Sequence, residues 1–270
     1  MVMSAKNGTI PFGDTEMEYI RFGRGEKTLI MLPGLGDGLR TMKGTALPMA
    51  LMYREFAGKY TVYAFSRLSR LPEGYTTRDM ARDQILAMDA LGIEKADVLG
   101  VSMGGMIAQH LAANYPQRVG KLVLVVTSAR PNPVLTGAVE EWIGCALRDD
   151  HTALMDSNVR LIYSEDYYRK NKRLIPVMGK LTKPKSYDRF LVQARACMEH
   201  NAFDVLPQIK APTFVVGGEQ DRCLTGDASR EIADRIPGAR LKMYPQWGHG
   251  LYDEAKDFYD TVLSFLKASE

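Results

Sequence analysis

The sequence predicts an α/β protein with a doubly wound, mostly parallel sheet and a helical insertion in its second half. Short apolar runs typical of buried strands alternate with helical segments from residue 27 to residue 126. The alternation stops at Ser128, and residues 130–207 contain helical segments and loops without a convincing strand. It resumes at Thr213. Strand–helix alternation of this kind places helices on both faces of a parallel sheet.

The first half of the chain supplies six candidate strands. The first two form a hairpin within residues 9–22, which turns at Gly13-Asp14. Four apolar strands follow, at residues 27–32, 61–65, 98–101 and 122–126. Between them, Thr77 is expected to cap a helix that Gly92 closes, and Pro116 ends the helix that follows residue 102.

The second half supplies two more strands, at residues 213–216 and 241–244, each followed by an amphipathic helix. The expected division is therefore a core formed by residues 1–129 and 208–270, with a helical cap at 130–207 inserted after the sixth strand. The cap begins beyond the C-terminal end of a strand, where open α/β sheets bind ligands. We expect it to act as a lid over the site.

Composition excludes several classes of protein. A net charge of +3 over 270 residues is too small to indicate a nucleic-acid partner. The three cysteines lack metal-like spacing, which predicts free thiols in a reducing compartment. The N-terminus has no apolar signal-peptide stretch, and no apolar run approaches the roughly 20 residues that cross a bilayer. The expectation is a cytoplasmic protein without a membrane span.

The most informative motif is Gly100-Val101-Ser102-Met103-Gly104, which lies between a predicted strand and a predicted helix. This G-x-S-x-G pattern is typical of a nucleophile elbow, a tight turn that exposes the serine above the sheet. Glycines at Gly100 and Gly104 avoid clashes with the neighbouring strand and helix. Ser102 is therefore the candidate nucleophile, and the Met103 amide is a candidate donor to an oxyanion.

A serine nucleophile needs a base, usually histidine. Of the four histidines, His249 follows the last strand and so lies at the same sheet edge as Ser102. His110 lies in the helix after Ser102, whereas His151 and His200 lie in the insertion. His249 is the predicted base.

The base in turn needs a carboxylate that orients it. Asp221 follows the strand at residues 213–216 and completes the chain order Ser, Asp, His. Glu219 and Asp204 are the alternatives, and a helix-cap role is the structural alternative for Asp221.

The glycine-rich loop Pro33-Gly34-Leu35-Gly36-Asp37-Gly38 follows the strand at residues 27–32. We expect the Leu35 amide to be the second oxyanion donor. A phosphate-binding loop is the alternative, but the G-K-[ST] ending of a P-loop and the spacing of a dinucleotide fingerprint are absent from this stretch.

Taken together, these motifs resemble those of the α/β-hydrolase superfamily, in its capped esterase-like branch. The resemblance runs from Glu16 to Leu266 and rests on four segments: Pro33-Gly34-Leu35, Gly100-Val101-Ser102-Met103-Gly104-Gly105, Gly217-Gly218-Glu219-Gln220-Asp221 and Gly248-His249. It implies an eight-stranded, mostly parallel sheet and a Ser102–His249–Asp221 triad. Branches that use an aspartate nucleophile do not fit.

Two segments that border the expected pocket depart from the family pattern. Pro33 stands where many relatives have histidine, and residues 65–71 replace the usual D-x-R-G-x-G-x-S segment. The loop at residues 39–56 is also longer than usual and rich in methionine.

The insertion carries apolar and aromatic residues that would suit an acyl chain or aromatic ester, although most are expected to bury the insertion itself. They are Trp142, Leu147, Leu154, Met155, Tyr163, Tyr167, Tyr168, Met178 and Phe190. The stretch from Arg169 to Lys185 is basic and contains no acid. It is interpreted as a solvated face, or as a patch that steers anionic substrates.

The expected function is a serine hydrolase that cleaves carboxylic esters through an acyl-enzyme, without metal or organic cofactor. Its expected partner is a small-molecule ester or related acyl substrate. The same triad serves a thioesterase, a lactonase, a carbon–carbon bond hydrolase or an aminopeptidase. A ligand sensor with a slow triad is the alternative of a different class.

Overall fold

The computed structural model describes residues 4–268, which form one eight-stranded sheet covered by helices. The strands are β1 (Ala5–Phe12), β2 (Thr15–Phe22), β3 (Lys27–Leu32), β4 (Tyr60–Leu68), β5 (Ala96–Val101), β6 (Val119–Val125), β7 (Thr213–Gly218) and β8 (Arg240–Tyr244). Their order in the sheet is β1-β2-β4-β3-β5-β6-β7-β8. β1 pairs with β2 and β2 with β4 in antiparallel fashion, and all other pairs are parallel. The predicted fold class is therefore confirmed.

Helices lie between most of the strands. They are α1 (Ala46–Met52), α2 (Arg54–Ala57), α3 (Thr77–Ala90), α4 (Met103–Asn114), α5 (Pro133–Leu147), α6 (His151–Ile162), α7 (Glu165–Asn171), α8 (Ile175–Thr182), α9 (Asp188–Met198), α10 (Gly226–Arg235), α11 (Leu251–Glu254) and α12 (Phe258–Lys267). Short 3₁₀ turns occupy Leu35–Gly38, Pro116–Arg118 and Leu206–Gln208.

The apolar core has two halves, one on each face of the sheet. In β6, Leu122 and Leu124 belong to one half, whereas Val123 and Val125 belong to the other. This alternation follows from the two-residue period of a strand. A strand buried on both faces reads as a continuous apolar run, which is why the sequence identifies β6 so clearly.

The insertion after β6 consists of α5 to α9, as the sequence predicts. Trp142, Leu154 and Phe190 are buried within it or beneath it. The indole N–H of Trp142 donates to Ser157 Oγ at 3.2 Å. The division of the chain into domains at residues 129 and 207 stays a prediction.

Several local predictions need correction. Thr76, not Thr77, caps α3: its side chain accepts from the Asp79 amide, and the Asp79 carboxylate accepts from the Thr76 amide. Residues 39–56 are not an open loop, because they contain α1 and the start of α2. The last predicted helix is divided into α11 and α12, since Ala255 takes an extended conformation between them while remaining buried.

Two further expectations concern the whole chain. All three cysteines are free and buried. Within residues 4–268, none of the helices is both long enough and apolar enough to cross a membrane.

Two buried histidines join the insertion to the core. His110 on α4 and His200, just after α9, pack edge to face with ring centroids 5.2 Å apart. His200 Nδ1 lies 2.8 Å from Thr77 Oγ1 on α3. Burial lowers the pKa of His110 to about 4, with a smaller effect from Arg78, and lowers the pKa of His200 to about 3. Both rings are therefore neutral in the folded protein at pH 7.

This histidine pair should make stability fall in mild acid. Because both folded-state pKa values are depressed, the unfolded chain takes up protons first as the pH drops below about 6.5. Between about pH 6.5 and pH 4.5, each histidine should cost on the order of 2 kcal/mol of unfolding free energy. In His110→Asn, urea denaturation across this range should show a clearly smaller pH dependence. An unchanged slope would contradict the assignment.

Candidate active site

Ser102 lies at the turn between β5 and α4 in a backbone conformation that non-glycine residues rarely adopt, with φ 53° and ψ −121°. Such a residue costs about 1–3 kcal/mol and persists only where its surroundings hold it. Its amide donates to the Val125 carbonyl at 2.9 Å. Its carbonyl accepts from Thr127 Oγ1 at 2.8 Å and from the Gly105 amide at 2.8 Å. Contacts with the end of β6 therefore fix the turn.

The predicted motif glycines are required by close approach. A Cβ on Gly104 would lie 1.9 Å from the Leu32 carbonyl oxygen, and a Cβ on Gly100 would lie 2.5 Å from the Gly104 carbonyl oxygen. Atoms cannot come this close without a shift of the backbone. The two glycines thus let the start of α4 pack directly against the ends of β3 and β5.

His249 reaches Ser102 from the loop after β8. Its Nε2 lies 3.0 Å from Ser102 Oγ, and its Nδ1 lies 2.9 Å from Asp221 Oδ2. Asp221 comes from the loop after β7. The three residues that the sequence selected from the ends of β5, β7 and β8 are therefore brought together at one edge of the sheet.

Both carboxylate oxygens of Asp221 are engaged. Oδ1 accepts from the amides of Cys223 and Leu224 at 2.8 and 3.0 Å, and Oδ2 faces His249 Nδ1. Asp221 and His249 are 8% and 3% exposed, so these contacts are shielded from water. A carboxylate held in this way favours a proton on His249 Nδ1 and leaves Nε2 free to accept the serine proton.

The alternative residues have other partners. Glu219 forms an ion pair with Arg230, and Asp204 lies 3.9 Å from Arg235. His151 Nε2 lies 3.2 Å from Thr182 Oγ1 within the insertion. His110 and His200 form the buried pair described above.

The predicted oxyanion loop lies against Ser102. Residues Leu35–Gly38 form a 3₁₀ turn, and a Cβ on Gly34 would be in ordinary contact with Ser102 Cβ, at 3.4 Å. Met103 is the first residue of α4, where backbone amides have no intrahelical acceptor. Leu35 and Met103 are both buried.

A charged cluster beneath this loop was missed by the sequence reasoning. The Asp37 carboxylate accepts from the Arg67 amide at 3.0 Å and from the Arg189 guanidinium at 2.5 Å. Arg67 also donates to the Pro33 carbonyl at 2.5 Å. Asp37 and Arg67 are 2% and 1% exposed, and burial lowers the pKa of Arg67 against the opposing effect of Asp37. Two sequence features could have indicated this cluster: Asp37 stands between two glycines, and Arg67 follows an apolar run.

The insertion also contacts the loop that follows His249. The Gly250 amide donates to the Ile162 carbonyl at 2.7 Å, and the Tyr163 hydroxyl donates to Asp253 at 2.9 Å. Burial raises the pKa of Asp253, an effect that this hydrogen bond partly offsets. Arg222, next to Asp221, donates to the Tyr163 carbonyl at 2.7 Å. The insertion therefore touches both loops that carry triad residues.

Among the described residues, one cluster has the composition of a metal site. Ligand atoms of Asp221, Cys223 and His249 all lie within 4.8 Å of one another. However, Asp221 is already engaged by His249 and by two amides, and burial together with Asp221 raises the pKa of the Cys223 thiol. The hydrogen bonds of Asp221 to His249 and to the Cys223 amide account for this cluster without a metal.

The chain resembles known proteins in sequence along most of its length. A family model described as "alpha/beta hydrolase fold" matches residues 27–256. "Putative carbamate hydrolase RutD" of Caulobacter sp. (strain K31) is 29% identical over 244 residues, covering 89% of this chain and 90% of that protein. A "2-hydroxy-6-oxononadienedioate/2-hydroxy-6-oxononatrienedioate hydrolase" of Comamonas testosteroni is 30% identical over 190 residues, covering 66% of this chain and 65% of that one.

Solved structures share the architecture. The hydrolase MGS-M2 from a Medee basin deep-sea metagenome library superimposes with a TM-score of 0.84 at 21% identity, covering 97% of this chain and 98% of that one. The enol-lactonase from Burkholderia xenovorans LB400 gives a TM-score of 0.78 at 23% identity, covering 97% and 100%. At identities of 21% and 23%, this similarity supports a shared fold. Since the family match spans most of the sequence, the chain belongs to the α/β hydrolase fold family.

Proposed function

We propose that this α/β hydrolase cleaves carboxylic esters, with Ser102 as nucleophile, His249 as general base and Asp221 as its orienting carboxylate. One observation carries the proposal. His249 Nε2 lies 3.0 Å from Ser102 Oγ, close enough to take the serine proton, and His249 Nδ1 lies 2.9 Å from Asp221 Oδ2, which holds the ring in place. A serine hydroxyl is a weak nucleophile at neutral pH and needs such a base.

In the first half of the proposed reaction, Ser102 Oγ attacks the ester carbonyl while His249 Nε2 takes its proton. The carbonyl oxygen becomes an oxyanion, which accepts hydrogen bonds from the Met103 and Leu35 amides. Asp221 stabilises the imidazolium that forms. His249 then protonates the departing alkoxide, and the acyl group stays on Ser102.

In the second half, His249 removes a proton from water as the water oxygen attacks the carbonyl of the acyl-enzyme. The bond to Ser102 Oγ then breaks, His249 returns the proton to Ser102 Oγ, and the acid is released. Groups of this chain perform each step: His249 transfers the protons, Ser102 attacks the carbonyl, and the two amides stabilise the negative charge. We therefore expect no metal or organic cofactor to be required.

A carbamate is the second candidate substrate, and the relative of 29% identity supports it because its match covers 89% of this chain. Attack by Ser102 would be the same, but His249 would have to protonate a nitrogen leaving group. Carbon–carbon bond cleavage has the support of the Comamonas testosteroni relative. Thioesters, lactones and aminoacyl substrates share the acyl-transfer chemistry, and a ligand sensor would bind such molecules with little turnover.

Ser102→Ala should abolish labelling by a fluorophosphonate probe and lower ester turnover by at least about 10³-fold, because the nucleophile is removed. Peptide mapping of the wild-type protein should place a single adduct on Ser102. His249→Ala should behave similarly, since Ser102 then lacks its base. Labelling of another serine, or near wild-type turnover in either variant, would contradict the proposal.

Asp221→Asn should lower kcat by about 10³- to 10⁴-fold, since an amide cannot hold the productive tautomer of His249. Glu219→Gln is the matched control, because Glu219 lies two residues away but pairs with Arg230 instead. It should keep kcat within a few-fold of wild type. The reverse ranking would identify Glu219 as the orienting acid.

A substrate panel should separate the candidate activities. We expect short p-nitrophenyl esters to be hydrolysed with a kcat/KM at least about tenfold higher than matched carbamates, thioesters, lactones, aminoacyl anilides or dienone-type ring-fission products. This follows because p-nitrophenolate is a weak base that leaves readily, so a Ser-His-Asp arrangement without further substrate-specific contacts can form the acyl-enzyme. A carbamate preference would support the second candidate. If the protein binds these compounds and its melting temperature rises without turnover, the sensor alternative holds.

A further inference from the structure

Helix α8 uses only one face to pack on the protein. Ile175 is 5% exposed and Gly179 is buried. A Cβ on Gly179 would lie 2.9 Å from Thr152 Oγ1 and 3.0 Å from Thr152 Cα, so α8 lies directly on α6 at this point. The side of α8 that packs on the protein is therefore narrow, and Ile175 and Gly179 lie on it.

The opposite face of α8 is apolar and open to solvent. Leu174, Val177, Met178 and Leu181 are 58%, 55%, 46% and 76% exposed. Steps of three and four residues place side chains on one helical face, so these four form a continuous stripe. We call them the α8 stripe. Single exposed apolar residues are ordinary on a protein surface, but a contiguous stripe indicates an interaction site.

The stripe lies in the most basic part of the chain. Residues 167–187 contain no aspartate or glutamate and seven exposed cations: Arg169, Lys170, Lys172, Arg173, Lys180, Lys183 and Lys185. Arg169 pairs with Asp166, and Lys183 pairs with Asp149. The other five form no ion pair with any residue in the described part of the chain.

We propose that the α8 stripe and the cations around it dock this protein on an anionic lipid surface. An apolar helical face bordered by Lys and Arg is the pattern of an interfacial helix, which inserts its apolar side chains at the boundary between headgroups and acyl chains. Long basic side chains can lay their methylenes along this boundary and keep their charges among anionic headgroups. The contact is peripheral and does not depend on the proposed triad chemistry.

Charge favours this occupant over a second copy of the chain. In a symmetric dimer through α8, each stripe would meet the identical patch of its partner, and two clusters of cations would face each other. Like charges across an interface oppose association. An anionic lipid surface instead offers opposite charge over an area wide enough for all five unpaired cations.

Flotation with lipid vesicles tests the proposal. The full chain should bind vesicles of equimolar phosphatidylcholine and phosphatidylglycerol at least about tenfold more tightly than vesicles of phosphatidylcholine alone, because several cations contribute. Raising the salt concentration should weaken this binding. Equal affinity for the two vesicle types, or no binding to either, would overturn the proposal.

A matched pair of variants locates the contact. Leu174→Ser/Leu181→Ser should weaken binding to the anionic vesicles by at least about tenfold, since two apolar side chains are lost. The control, Leu47→Ser/Leu51→Ser, removes leucines of 59% and 57% exposure from α1 and should bind as wild type does. The melting temperature of both variants should stay near that of wild type, which separates loss of docking from loss of folding.

Two further outcomes would count against the proposal. Equal loss of binding in the α1 control would show that the α8 stripe is not the contact. A concentration-dependent dimer in the absence of lipid, abolished by Leu174→Ser/Leu181→Ser, would assign the stripe to a second copy.

A charge-reversal variant tests the cations separately. Weaker binding of Lys172→Glu/Lys180→Glu to the anionic vesicles, with the leucines intact, would support their role.

Discussion

The close packing of the Ser102 turn against the ends of the neighbouring strands is the constraint on which the rest of the site depends. Ser102 has a positive φ, and so does Val126 at the adjacent end of β6, with φ 53° and 41°. Non-glycine residues seldom adopt positive φ, and a β-branched residue such as Val126 is strained there, so both conformations need hydrogen bonds that hold them. The Val126 amide donates to the Val216 carbonyl at 2.9 Å. The Ser102 amide bonds to Val125, and Thr127 bonds to the Ser102 carbonyl. Residues at the end of β6 thus hold the strained turn that follows β5.

Because β5 to β8 run parallel, the Ser102 turn lies close to the other candidate residues. Strands that run in the same direction deliver their C-terminal loops to one edge, so residues far apart in the sequence meet there. Ser102 and His249 are separated by 147 positions, yet their reacting atoms lie 3.0 Å apart. The motif at β5 and the two strand-end loops after β7 and β8 are local signals. This is why the sequence was sufficient to select all three triad candidates.

The cluster of Asp37, Arg67 and Arg189 could not be predicted in the same way. Its members come from a loop, a strand end and an insertion helix, and Arg189 reaches over a separation of 152 residues to Asp37. No sequence spacing links such partners, and an arginine in isolation is expected to be exposed. The His110–His200 pair could not be predicted for the same reason, because no sequence spacing links the two residues. Helix α4 is covered on nearly every side, so its periodicity did not reveal that His110 would be buried against the insertion.

The insertion therefore does more than cover the core, because it contacts the site from two directions. Through Arg189 it reaches Asp37 in the loop that contains Leu35, and through Ile162 and Tyr163 it reaches the segment that follows His249. Displacement of α9 would break the ion pair of Arg189 with Asp37 and the hydrogen bonds that Arg189 donates to the carbonyls of Asp37, Arg67 and Leu68, so it would be opposed here. The position of the insertion and the geometry around Ser102 are consequently linked in free energy. The outward-facing α8 stripe belongs to this same insertion, so a surface that binds α8 would act on the element that touches both sides of the site.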